Sequence, residues 1–103
     1  MTSKIDKYSI SWDDFMTEEL QDEEFAKEYI NTSLMEYIQG GDFKMFFKSL
    51  ERVVKARTSM TDFAKASELD RTNLYAIFNG KKKPQFRTVL KILAQLGYTI
   101  KVA

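Results

Sequence analysis

The sequence holds no cysteine and no histidine, a single proline and only four glycines. Without cysteine there is no disulfide framework and no cysteine-rich zinc site. With histidine missing as well, and no glycine-rich phosphate loop following a strand, an enzyme is not expected. A carboxylate pair among Asp13, Asp14, Glu18 and Glu19 is the one conceivable exception, and nothing in the sequence positions it in a pocket. No metal and no cofactor are expected. No apolar run approaches the roughly 20 residues that a membrane span requires, and the first residues lack the apolar region of a signal peptide. A soluble protein of the cytoplasm, with no membrane partner, is the expectation.

What is present is enough for one domain with a real core: 103 residues, 44% hydrophobic and 14% aromatic. The net charge of +1 conceals a division. Residues 1–42 carry three Lys/Arg against eleven Asp/Glu, a balance of −8, and residues 43–103 carry thirteen against four, a balance of +9. Such a split points to two partners of opposite charge, or to halves that attract each other. Two regions follow, packed as one globular unit: an acidic arm and helix over 1–41 and a basic remainder over 42–103.

Hydrophobic spacing predicts an all-α fold. Residues 1–12 show no period and read as a loosely held arm, pinned by Trp12 and Phe15, with Ser11 or Asp13 capping a short turn toward Leu20. From Asp22, Phe25, Tyr29, Ile30, Leu34 and Ile38 form one helical stripe that Gly40-Gly41 ends. Asp42 caps a second helix with Phe43, Phe46, Phe47, Leu50, Val53 and Val54 inward and Lys44, Lys48, Glu51, Arg52 and Lys55 toward water. Residues 57–60 read as a turn, and Thr61 as the cap of a third helix reaching about Ser67. A fourth helix starts after Asp70, runs from Arg71 to Phe78 and stops at Asn79-Gly80. A fifth follows Pro84 and ends at Gly97. The alternating tail Tyr98-Thr99-Ile100-Lys101-Val102 predicts a short terminal β-strand, paired with its own copy in a homodimer or packed alone on the core.

The third and fourth helices, joined by a tight turn, form a helix-turn-helix. A helix that enters the major groove needs an apolar back, short polar side chains on its leading face and cations for phosphates. With Leu74, Ile77 and Phe78 inward, Thr72, Ala76 and Asn79 face outward, Asn73 and Tyr75 flank them, and Arg71 occupies the first turn. Arg bonds a guanine edge, Asn an adenine edge, and Ala or a Thr methyl meets a thymine methyl. Lys81, Lys82 and Lys83 follow the helix where the chain would track the backbone of double-stranded DNA. Thr61 and the amides at the start of its helix offer a further phosphate contact.

The residues Tyr29-Ile30, Leu34, Gly40-Gly41-Asp42, Met60-Thr61, Ala64, Leu69-Asp70-Arg71-Thr72-Asn73-Leu74-Tyr75, Pro84-Gln85-Phe86-Arg87-Thr88-Val89-Leu90 and Leu96-Gly97 carry a resemblance. From about Phe25 to Val102 the chain resembles the HigA-like antidote proteins of bacterial addiction modules, helix-turn-helix antitoxins related to phage (lambda-type) repressor domains. It departs from them at Glu68 and Thr58, where the family has glycines. The resemblance implies a five-helix repressor-like domain behind an N-terminal helical extension. It also implies base contacts from Arg71, Thr72 and Ala76, to which the flanking Tyr75 is added. Phosphate contacts are then expected from Asn73 and Asn79, alongside Thr61, Lys81, Lys82 and Lys83. Finally it implies a small basic toxin, of ribonuclease type, as partner. The acidic half suits that partner by charge, with Trp12, Asp13, Asp14, Phe15, Glu18, Glu19 and Glu23 as the candidate toxin-binding residues and Met16 and Leu20 as further apolar anchors. The expected function is thus an antitoxin that represses its own operon. The alternatives are a stand-alone repressor and a protein-interaction module that does not bind DNA.

Overall fold

Short oxygen-bearing side chains fix where most of the helices begin, because each accepts a backbone N–H that the first turn leaves without a partner. The computed structural model describes residues 11–101. In it Ser11 caps α1 (Trp12–Glu19), Asp22 caps α2 (Glu23–Ile38) and Asp42 caps α3 (Phe43–Arg57). Ser59 caps α4 (Met60–Ser67) and Asp70 caps α5 (Arg71–Phe78), whereas α6 (Phe86–Gln95) starts on Gln85 without a side-chain cap bond. The all-α class fits. Among the described residues, no helix is long and apolar enough to cross a membrane.

The helix α3 is the axis of the fold, packing against α1, α2, α4 and α5, while α4 also packs on α5 and α6. Leu20, Leu50, Val53, Val54, Leu74, Ile77, Phe78 and Ile92 are sealed from water at the centre. Each such side chain contributes about 1.5–3 kcal/mol by leaving water. Polar contacts tie the acidic helices to α3. Arg52 donates to the Tyr29 hydroxyl at 3.1 Å and to the Asp13 carboxylate at 2.9 Å. Burial works against the charge of the Arg52 guanidinium, yet those two partners outweigh it and raise its pKa. Gln21 donates to the Ala56 carbonyl, and the Ser33 and Ser49 hydroxyls meet at 2.6 Å. At the α2–α3 turn, a side chain on Gly41 would bring its Cβ within 2.6 Å of the Glu36 carbonyl oxygen, so glycine is required there.

The structure corrects four expectations. The terminal β-strand is absent: residues 98–101 form no strand, no strand occurs among the described residues, and Val102 lies outside them. A strand needs a ladder partner, and no other extended element occurs among the described residues. Instead the Tyr98 N–H donates back to the Leu93 carbonyl at 2.9 Å, and the ring packs on the core. The cap of α4 is Ser59, not Thr61, because Met60 begins the helix and is buried. Met16 and Leu20 are core residues and unavailable as anchors, since α1 lies flat on α3. Glu51 is buried, its two oxygens bonded by Lys48 at 3.1 Å and Lys55 at 3.3 Å. The loosely held arm falls, for residues 1–10, outside the described part.

Glu68, in the turn between α4 and α5, adopts the left-handed conformation with φ 59° and ψ 39°. That geometry lets the Leu69 N–H reach the Ala64 carbonyl at 2.9 Å and swings the chain into α5. It costs an L-residue about 1–2 kcal/mol, part of which glycine would give back in the unfolded chain. Glu68→Gly is therefore expected to raise stability by about 0.5–1 kcal/mol, or roughly 2–8 °C in melting temperature by circular dichroism. Glu68→Ala, which keeps a Cβ, is expected to leave the melting point close to wild type.

Candidate nucleic-acid interface

The helix α5 has a sealed back and a more open front. Leu74, Ile77 and Phe78 are fully buried, while Arg71, Thr72 and Asn79 are exposed, Tyr75 is 38% exposed, and Asn73 and Ala76 are half-buried. The split follows from the sequence: three apolar residues at steps of three and one fix the back, and the cap at Asp70 fixes the start. The Asp70 carboxylate accepts the Asn73 N–H at 2.9 Å, which uses the side chain locally and leaves the α5 first turn open.

The structure joins the three parts of the candidate phosphate- and base-facing set. Arg71 of α5 donates to the Thr61 hydroxyl of α4 at 2.9 Å. Lys82 donates to the Asn73 side-chain carbonyl at 2.6 Å. Lys82 can fold back because the N–H groups of Lys81 and Lys82 both bond the Ala76 carbonyl, at 2.9 and 3.2 Å, around Gly80 with φ +75°. Two pairs are thus joined, Arg71 with Thr61 across the helix pair and Asn73 with Lys82 across the turn after α5. Lys81 and Lys83 are exposed in the same loop. Lys83 also sits with its ammonium 5.8 Å from the centre of the Phe43 ring, an attractive placement for a cation.

Sequence reasoning missed Lys44. The sequence puts it on the wet face of α3, but its stem lies against the loop after α5: a Cβ on Gly80 would come within 2.7 Å of Lys44 Cγ. The meeting depends on how α3 crosses α5, for which no local signal exists. Lys44 is exposed and adds a cation beside residues 81–83.

The candidate toxin-facing residues are distributed over α1 and the start of α2. Trp12 is 54% exposed and stands 6.0 Å, centre to centre, from the ring of Phe15, which is half-buried against the core. Asp14, Glu18 and Glu23 are exposed and Glu19 is half-buried, whereas the exposed Asp13 is held by Arg52. Asp14 and Glu18, four residues apart, share one face.

Residues 11–103 match a family model described as "Probable addiction module antidote protein". A protein of Haemophilus influenzae, named only "Uncharacterized protein", is 29% identical over 92 residues, covering 84% of this chain and 94% of the relative. No solved structure matches.

Proposed function

Since the chain belongs to the family of probable addiction module antidote proteins, we propose that it neutralises a small basic toxin of ribonuclease type and represses its own operon as a homodimer bound to operator DNA. The observation that carries the DNA half of this reading is the division of α5. Leu74, Ile77 and Phe78 hold its back rigid, and Arg71, Thr72, Tyr75 and Ala76 are left to meet base edges. Asn73 and Asn79 flank them, with Thr61, Lys44 and the loop lysines set for phosphates. On binding, the Arg71–Thr61 and Lys82–Asn73 bonds are exchanged for bonds to DNA. These internal bonds also suit the second reading, a purely structural helix-turn-helix in an interaction module.

Salt titration of binding to DNA from its own upstream region separates the two. Under the first reading log Kd rises steeply with log salt, and replacing Lys81, Lys82 and Lys83 together by alanine lowers the slope by up to about three. Absent or salt-insensitive binding favours the second.

The toxin half rests on the family and on the charge of α1 and the α2 start, which carry Asp13, Asp14, Glu18, Glu19 and Glu23. Trp12 is the aromatic anchor of this surface. Trp12→Ala is expected to weaken binding of the toxin encoded alongside by about tenfold, measured by calorimetry, with the melting point little changed. Unchanged affinity would move the toxin contact elsewhere.

A further inference from the structure

A groove of about 390 Å³ lies between α2 and α3 near their connecting turn, and most of its surface is apolar. The buried Phe46 lines it, Tyr37 stacks on that ring with centres 5.9 Å apart, and Met45 stands 68% exposed. Methionine is unbranched and adapts its shape to whatever covers it. Its inner polar groups already have partners. The Ser33 and Ser49 hydroxyls meet at 2.6 Å, and the Tyr29 hydroxyl accepts from Arg52 at 3.1 Å.

The charged residues that line this groove are both acidic, Glu36 and Asp42, and both are exposed. The turn brings them together: the Gly41 N–H donates to the Glu36 carbonyl at 2.9 Å, and Asp42 follows directly. Glu36 joins no ion pair among the described residues. Asp42 spends one carboxylate oxygen on the Lys44 N–H, at 2.9 Å. The last turn of α2 carries no basic residue, so the negative end of that helix adds to the two carboxylates. The groove also continues the acidic face of α1. Arg52 donates both to Tyr29, which lines the groove, and to Asp13 of α1, so one guanidinium joins the two surfaces. Asp13, at 2.9 Å, answers the charge of that guanidinium.

We infer that the toxin contact extends past Arg52 into this groove, which receives an arginine of the basic partner. The stem of that arginine lies against Tyr37 and Met45, and its guanidinium meets the acidic end at Glu36 and Asp42. The inference rests on the toxin half of the proposed function and adds Glu36, Tyr37 and Met45 to it. Arginine suits the groove because its planar head stacks on aromatic rings and bonds carboxylates in a fork. A purely apolar segment would cover the walls and leave both acids unanswered. Arginine and the aromatic residues are also the side chains that most often dominate interface energy. None of the residues assigned to DNA takes part.

The test is surface plasmon resonance of the full chain with the toxin encoded alongside, at physiological salt. Glu36→Lys is expected to weaken binding by about tenfold, chiefly through slower association, as charges at the edge of an interface do. Met45→Ala is expected to weaken it by about fivefold, through faster dissociation. Glu68→Lys, in the turn between α4 and α5, makes the same change in net charge outside both surfaces. It is expected to stay within about twofold of wild type. All three side chains are exposed, so the variants are expected to fold, which circular dichroism checks. Affinity that falls with Trp12→Ala but ignores Glu36→Lys and Met45→Ala would overturn the groove and keep the toxin reading. No binding by the wild-type chain would overturn both. An equal loss with Glu68→Lys would reduce the effect to net charge and overturn the groove. Groove variants that abolish self-association in sedimentation while keeping toxin affinity would give the groove to a second copy, against the inference.

Discussion

Phe78→Ala is expected to remove about 3–5 kcal/mol of folding stability, the largest effect of any single truncation considered for this chain. Phe78 is the bulkiest of the fully sealed side chains and sits at the last turn of α5, where that helix rests on α3. Alanine there forfeits the transfer of a whole ring from water and leaves a cavity in a close-packed centre. Domains of this size have only about 5–15 kcal/mol in total, so a fall of about 15–30 °C in melting temperature is the expected reading by circular dichroism. Tyr75→Ala, on the partly open face of the same helix, is expected to change stability by less than about 1 kcal/mol. A loss below about 1 kcal/mol for Phe78→Ala would mean that α5 is not braced from behind in the way described.

Arg71→Ala carries the second large effect, and it falls on recognition. Arg71 is exposed, and among the described residues its one polar contact is the exposed Thr61 hydroxyl at 2.9 Å. Its loss is therefore expected to leave folding stability within about 0.5 kcal/mol of wild type. Binding to operator DNA should weaken by about 1–3 kcal/mol, or roughly 5–150-fold, if the guanidinium meets a guanine edge. Binding to unrelated DNA should change far less, because a single charge among several phosphate-facing cations is removed. Equal losses on both DNAs, measured by fluorescence anisotropy at one salt concentration, would reassign Arg71 to the phosphate backbone. Toxin binding should be untouched, since Trp12, Asp14 and Glu18 belong to α1 and Arg71 to α5.

Much of this arrangement was legible in the order of residues, and the rest was hidden for physical reasons. Asp42 and Asp70 are recognisable as caps because capping chemistry is local: an acceptor, a turn, and an apolar run. The start of α4 was misplaced because Ser59 and Thr61 are both good caps, and only burial of Met60 decides between them. The terminal strand failed for the opposite reason. Alternation of β-branched residues describes a strand's surface but supplies no partner; Tyr98 instead packs on the core and bonds back to Leu93, while residues 99–101 are exposed.

Tertiary neighbours explain the other differences. Glu51 reads as solvated until Lys48 and Lys55 are seen to bond its two oxygens from turns on either side. Met16 and Leu20 read as docking residues until α1 is laid on α3. In the candidate site, the faces of α5 followed from helical periodicity alone. The Arg71–Thr61 and Lys82–Asn73 bonds did not, because they depend on the left-handed Glu68 and on the turn at Gly80. Lys44 escaped notice for the same reason: its neighbours are far from it in sequence.

The most direct measurement is the ratio of affinities, at one fixed salt concentration, for DNA from the protein's own upstream region and for a scrambled duplex of equal length. If the leading edge of α5 meets base edges, the native sequence binds at least about 1,000-fold more tightly. A ratio near one, with both duplexes bound alike or not at all, would contradict that role for Arg71, Thr72, Tyr75 and Ala76.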